Sequence, residues 1–158
     1  MKRQAFRFSF ALAALAAVMG STGARASDTL SVTVNATIVG VCKFFTTAPV
    51  VNITNTGTGS NIDPSSATTA TGNAAITYRC SNGTSPNFTI PTTATVTCTA
   101  CSGATMTPAI TSANTGAGTG LGSGKDQTLT VTGTILQAAF QNAPAGAYTG
   151  SITVDVSP

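Results

Sequence analysis

The chain has 158 residues with only seven basic and four acidic side chains, and it contains neither His nor Trp. Without His, the Ser–His–Asp and Cys–His systems of nucleophilic catalysis are excluded. The four Asp residues are scattered along the sequence, so no carboxylate pair for glycoside hydrolysis is evident. The composition therefore predicts a protein that is not an enzyme, with no catalytic residue, no metal ligand and no cofactor.

Residues 1–26 have the three parts of a secretion signal. A basic start precedes an apolar run of 12 residues, 8–19, and an Ala-x-Ala sequence that ends at Ala26. A helix needs about 20 apolar residues to span a bilayer, so this run favours a signal peptide over the alternative, a transmembrane anchor. We predict cleavage after Ala26 and export of the remaining chain.

Removal of the signal changes the charge of the protein. The whole chain has a formal net charge of +3, but four of its seven basic residues precede residue 27. The three that remain face four Asp, which gives a net charge of −1. Because no basic patch is left to neutralise phosphates, we expect no nucleic-acid partner. We also expect no small-molecule substrate.

The start of the exported chain alternates apolar and polar residues from 28 to 38 without a break. Side chains on a β-strand point alternately to its two faces, so this pattern predicts a strand with one apolar face. The residues on that face are Leu30, Val32, Val34, Ala36 and Ile38. A free terminal strand of this kind is suited to joining the sheet of another protein. The alternative is that it forms the first strand of its own complete fold.

The rest of the chain predicts an all-β fold. Short alternating segments are separated by turn residues at intervals of about 8–12 residues, which is typical of a β-sandwich. Asn82-Gly83 is a hairpin signal, and residues 54–73 predict a surface loop or a poor edge strand. The predicted strands are 49–53, 74–80, 87–90, 94–98, 104–110, 129–137 and 148–156.

Four cysteines follow the signal: Cys42, Cys80, Cys98 and Cys101. An even number in an exported chain indicates disulfides, and four cysteines allow three connectivities. We favour Cys42–Cys80 with Cys98–Cys101, because Cys42 and Cys80 each end a predicted strand. The C-x-x-C spacing of the second pair also occurs in redox proteins, but its flanks have no helical period, so we interpret it as a structural clip.

Several short motifs together resemble one known family. They are the alternating strand that ends at Ile38, Val41-Cys42-Lys43-Phe44, Ile76-Thr-Tyr-Arg-Cys80, and the ending from Pro144 through Gly146 and Tyr148 to Val156. In this order the chain resembles the spore coat protein U-like family, which includes pilin subunits of archaic chaperone–usher pili. Cys98 and Cys101 are not part of the common pattern of that family, and residues 54–73 are unusually simple.

The resemblance implies an immunoglobulin-like β-sandwich that lacks its last strand. It implies a signal peptide at 1–26, an N-terminal donor strand at 27–40 and a pilin-type sandwich domain at 41–158. Leu30, Val32, Val34, Ala36 and Ile38 would fill the groove of a neighbouring copy. The terminal strand that ends at Val156 would border the acceptor groove.

The resemblance also implies partners and a location. The partners are identical or related pilin subunits, a periplasmic chaperone and an outer-membrane usher. The chain would pass through the periplasm to the cell surface and polymerise there into a pilus by donor-strand exchange. The pilus would serve adhesion and biofilm formation. The alternative function is a monomeric secreted coat or binding protein with a complete β-sandwich.

Overall fold

The computed structural model describes residues 29–158. The predicted signal peptide and the first residues of the predicted donor strand lie outside the described residues. The chain divides at Ile38 into two units, which are described separately: the residues up to Thr37, and the body formed by residues 38–158. Over the described part of the chain, no helix has both the length and the apolar character needed to cross a membrane.

The body consists of antiparallel β-strands with almost no helix, which confirms the all-β prediction. Within residues 29–158 the only helical segments are a 3₁₀ turn at Thr99–Cys101 and α1 at Gln137–Phe140. The strands are β1 (Cys42–Phe44), β2 (Ala70–Cys80), β3 (Asn87–Thr89), β4 (Val96–Cys98), β5 (Ala104–Met106), β6 (Ala109–Asn114), β7 (Gln127–Ile135) and β8 (Asp155–Ser157).

The largest sheet has the strand order β1-β2-β7-β6. At its centre β2 and β7 pair along nine residues, from Ala70 opposite Ile135 to Tyr78 opposite Gln127. Two further sheets have two strands each, β3 with β8 and β4 with β5. Neighbouring strands are antiparallel in every sheet.

The core lies against one face of the β2–β7 pair. Alternate residues of β2 are buried, and they include the predicted set Ala74, Ile76, Tyr78 and Cys80, so the predicted facing of this segment is confirmed. The hydroxyl of Tyr78 donates a 2.7 Å hydrogen bond to the carbonyl of Gly116, and its ring meets the ring of Phe88 edge-on at 5.0 Å. The buried tyrosine therefore retains a polar partner inside an apolar core.

Both favoured disulfides are present. Cys42 and Cys80 are directly opposite each other in the β1–β2 pair, so their bridge fastens the edge strand to the central sheet. Cys98 and Cys101 close the 3₁₀ turn after β4. No cysteine among the described residues is free.

Several predicted strands differ from the structure. Residues 29–41 carry no strand pairing, so the donor role of residues 27–40 stays a prediction. Residues 49–53 also form no ladder, and the prediction of a strand there was wrong. Conversely, β2 begins at Ala70, inside the predicted 54–73 loop.

Two further predictions differ from the structure, one at Asn82-Gly83 and one at residues 104–110. Asn82-Gly83 does form a turn, but β2 and β3 on its two sides belong to different sheets, so the predicted hairpin was wrong. The predicted strand at 104–110 is interrupted at Pro108, and β5 and β6 pair with different neighbours. Proline has no backbone N–H to donate to a ladder, which explains the break.

Candidate functional site

The described part of the chain contains an open groove with an apolar floor. It consists of two cavities with volumes of about 500 and 290 Å³. The two cavities are adjacent, and they share five lining residues: Val50, Val51, Ile53, Val96 and Gly150. None of the residues that line either cavity carries a charge.

The inner face of the central sheet forms the floor of the groove. Ile76 and Val131, from β2 and β7, lie under the smaller cavity. Ile135 lies under the larger cavity, together with Met106 of β5 and Phe140 of α1. Ile76, Val131 and Ile135 are apolar residues that the alternation of β2 and β7 directs inward, so the floor of the groove is continuous with the core.

One side of the groove is the first edge segment, residues 49–53. The chain leaves the edge of β2 after the N–H of Phe45 donates to the carbonyl of Thr77 at 2.8 Å. It returns at Thr54, which exchanges two backbone hydrogen bonds with Thr71 at 3.0 and 2.9 Å. Among the described residues, Val50–Ile53 have no backbone hydrogen-bond partner. This segment therefore presents an unpaired backbone edge.

Two glycines let the first edge segment approach the sheet. Gly72 of β2 and Gly133 of β7 are directly opposite each other on the inner face. A methyl group on Gly72 would lie less than 3.0 Å from the carbonyl of Asn52, and one on Gly133 would lie 2.9 Å from Cδ1 of Ile53. Any larger residue at these positions would push the segment away from the sheet.

The other side of the groove is the second edge segment, residues 145–154. At one end Thr149 exchanges backbone hydrogen bonds with Thr97 of β4 at 2.8 and 3.1 Å. At the other end the chain enters β8, which pairs with β3. Between these points, and within the described structure, residues 150–154 form no backbone hydrogen bond. Ile152 and Val154 are half-buried in the groove while their neighbours are exposed.

A loop also lines the larger cavity. Residues 60–62 and Pro64 line the cavity, and the half-buried Ile62 packs on the core cluster of Ile135 and Phe140. The loop is held by Asp63, whose carboxylate accepts hydrogen bonds from the hydroxyl and the N–H of Ser65 at 2.7 and 2.9 Å. These bonds favour the ionised form and hold the pKa of Asp63 below its ordinary value.

The groove therefore combines an apolar floor with two rows of unpaired backbone groups. Such rows are a template for an added strand, and pockets between them select its alternate side chains. The lining has no charged group to compensate a charged ligand. Nowhere in residues 29–158 do three His, Cys, Asp or Glu side chains come together to hold a metal ion. An extended apolar peptide matches this site, because its side chains suit the apolar floor and its backbone can pair with the free backbone groups.

The predicted donor residues are exposed. Leu30, Val32 and Val34 have 76–89% of their surface accessible, Ile38 has 92%, and Ala36 is also exposed. Large apolar side chains with this exposure are a hazard unless they find a partner. Of the predicted cysteines, Cys80 lies in the core, and Cys98 and Cys101 lie beside the groove at Gly146.

Most residues that line the groove were not predicted from the sequence. Gly72 and Gly133 did have a signal, since an isolated glycine inside a strand often marks a close backbone approach. Met106 and Phe140 had none, because the groove collects them from distant parts of the chain. The last predicted strand, 148–156, was wrong over most of its length, because β8 begins only at Asp155 and residues 150–154 are unpaired.

Comparison of the chain with protein-family models, curated proteins and solved structures finds no match. The resemblance to the spore coat protein U-like family therefore remains a prediction from sequence motifs. The groove and the exposed residues 30–38 are the features of this molecule from which a function can be inferred.

Proposed function

We propose that this protein is a structural subunit of a secreted surface pilus, which polymerises by donor-strand exchange. In this proposal the arm, residues 27–40, of one copy inserts between the two edge segments of the next copy. The body is then an immunoglobulin-like sandwich that lacks one strand, and the arm of a neighbour supplies it. The observation that carries the proposal is the presence, in one chain, of an exposed apolar row and an uncharged open groove.

The two features match in their spacing. The apolar residues of the arm recur at every second position, and five of them span about 27 Å in an extended strand. The half-buried residues of the second edge segment also recur at every second position, at Ile152 and Val154 and then at Val156 of β8. A strand placed between the edge segments would satisfy both rows of backbone groups and direct one face to the floor.

The gain in free energy is large enough for a persistent joint. Burial of a Val, Leu or Ile side chain contributes about 1.5–3 kcal/mol, so the four large arm residues contribute roughly 6–12 kcal/mol before ordering costs. Each copy offers one arm and one groove, which are different surfaces. Contacts of this head-to-tail kind do not close on themselves, so repetition gives a fibre.

Export imposes a further requirement. Before assembly, an open groove exposes apolar surface and unpaired strand edges, which together favour aggregation. A partner that lends a strand in transit would prevent this. The periplasmic chaperone and outer-membrane usher of the family that the sequence resembles would supply that partner and the site of exchange, and they would deliver the subunit to a pilus for adhesion and biofilm formation.

The proposal is tested by charging the two faces of the arm separately. Val32→Asp/Val34→Asp places carboxylates on the apolar face, whereas the matched control Ser31→Asp/Thr33→Asp places them on the polar face. The purified mature control should form ladders that resist SDS, and the Val32/Val34 variant should remain monomeric. We call this variant the donor-blocked variant.

Peptide binding separates the proposal from the alternative function. The donor-blocked variant should bind a synthetic arm peptide of residues 28–40, because its groove is intact. A monomeric coat or binding protein with a complete sandwich would form no ladders in either variant and would not bind the peptide. That result would contradict the proposed function.

A further inference from the structure

The Cys98–Cys101 disulfide lies against the second edge segment. Cys98 is fully buried and Cys101 is half-buried. The Sγ of Cys101 is 3.4 Å from the carbonyl oxygen of Ala145. A methyl group on Gly146 would lie less than 3.0 Å from both sulfur atoms. Since Ala145 and Gly146 line the larger cavity, the disulfide supports the wall of the groove from behind.

Strand β4 and the residue before it hold the same wall at two further points. Thr97 and Thr149 exchange backbone hydrogen bonds at 2.8 and 3.1 Å. Next along the wall, a methyl group on Gly150 would lie less than 3.0 Å from the carbonyl oxygen of Thr95. The chain from Thr95 to the disulfide thus follows residues 145–150 at close range. The unpaired residues 150–154 begin where these contacts end.

This disulfide is expected to stabilise the fold only weakly through the entropy of the unfolded chain. Its cysteines are separated by 3 residues, whereas Cys42 and Cys80 are separated by 38. A short loop removes far less freedom from the unfolded chain than a long one. The position of Cys98–Cys101 beside the groove is therefore its more distinctive property.

We propose that Cys98, Cys101 and Gly146 are positioning residues of the groove, which keep the second edge segment in place before the arm arrives. The inference rests on the proposed function. A preformed site loses less conformational freedom on binding, so its affinity is higher. Loss of the disulfide therefore weakens the acceptor groove and leaves the arm of the same molecule fully able to act as a donor.

The test measures the affinity of labelled arm peptide, residues 28–40, for the mature donor-blocked variant by fluorescence polarisation. We expect Cys98→Ala/Cys101→Ala to weaken binding at least tenfold. Gly146→Ala should have a similar effect with the disulfide intact, because the methyl group displaces the wall. The control is Gly122→Ala, where a methyl group meets no atom within 4 Å, and its affinity should be unchanged.

Two readouts separate positioning from a general loss of structure. First, Gly146→Ala should cost little further affinity in the Cys98→Ala/Cys101→Ala background, since the sulfur atoms that it strikes are gone. If the two changes damaged the structure independently, their losses of affinity would add. Second, Cys98→Ala/Cys101→Ala with its natural arm should still add to wild-type fibre ends as donor.

The possible outcomes distinguish this inference from the proposed function. If the donor-blocked parent binds the peptide and both groove variants bind equally well, the positioning role is wrong and the proposed function stands. If the effects of Gly146→Ala and of disulfide removal simply add, the positioning role is also wrong. If the parent itself does not bind the peptide, the proposed function is contradicted and this inference with it.

Discussion

Strands β2 and β7 differ from the two edge segments in pairing and not in the pattern of their side chains. Both regions alternate more buried with more exposed residues, as Ile76 and Tyr78 do in β2, and Ile152 and Val154 do in the second edge segment. Yet β2 and β7 share nine paired positions, whereas residues 50–53 and 150–154 have no backbone hydrogen bonds within the described structure. Alternation thus reports which face is buried, and pairing depends on whether a neighbouring strand is present.

One disulfide lies in the paired sheet and the other lies against the second edge segment. We expect their removal to have the largest effects on stability, and the two effects to differ. Cys42–Cys80 fastens the paired sheet across 38 residues, so Cys42→Ala/Cys80→Ala should lower the free energy of unfolding by about 3–4 kcal/mol. The Cys98–Cys101 bridge has a sequence separation of only 3, so Cys98→Ala/Cys101→Ala should lower the free energy of unfolding by only about 1.5 kcal/mol. Urea unfolding of the donor-blocked variant measures both. Equal losses of unfolding free energy in the two double variants would contradict this prediction.

A charge in the groove should affect arm binding most strongly. Ile152→Asp places a carboxylate in an uncharged lining, and we expect arm-peptide affinity to fall at least a hundredfold, which is about 2.7 kcal/mol. The adjacent Thr153 is exposed, and Thr153→Asp should change affinity by less than about threefold.

Ile152 also packs on the core, so a second variant is needed. Ile152→Ala keeps the groove uncharged and should weaken binding about tenfold, in line with the loss of a partly buried aliphatic side chain. If both Ile152 variants bind the arm peptide as well as Thr153→Asp does, residue 152 does not face the arm.

Gly133 is the point where the paired sheet touches the first edge segment. Gly133→Ala should lower the free energy of unfolding by about 1–3 kcal/mol, because its methyl group meets Cδ1 of Ile53 at 2.9 Å in a packed interior. Ile53→Val removes that carbon and should recover part of the loss in the double variant. Gly122→Ala is the control. Additive losses in urea unfolding would contradict this contact.

The smallest expected effect concerns the loop that lines the larger cavity. Hydrogen bonds from Ser65 lower the pKa of Asp63, so their stabilising contribution is present above the ordinary carboxyl pKa and is lost as the pH falls through the lowered value. The side chain is fully exposed, so the contribution is small. An NMR titration should show that Ser65→Ala raises the pKa of Asp63 towards its ordinary value. An unchanged pKa would contradict the assignment.

The sequence was sufficient for features that depend on local alternation. The facing of residues 74–80, the all-β class and the two disulfide pairs were all predicted, because each follows from period-two burial or from cysteines at strand ends. The strand that includes Leu129 and Val131 was predicted for the same reason.

The features that failed depend on which distant strand is a neighbour. Residues 49–53 have strand-like composition, but between Phe45 and Thr54 the chain packs against Gly72 and Gly133 of the sheet without pairing with a strand. Asn82-Gly83 makes the expected turn, yet β2 is already paired on both sides by β1 and β7. The groove could not be predicted, because its floor and walls come together only when the sheets pack.

Backbone hydrogen exchange tests the central claim most directly. The amides of residues 50–53 and 150–154 are measured in the mature donor-blocked variant, with and without saturating arm peptide, and β2 and β7 serve as an internal reference. If the arm inserts between the edge segments, exchange in both segments should slow at least tenfold when the peptide is added, while β2 and β7 are protected throughout. Unchanged exchange in both edge segments at saturating peptide would contradict this insertion.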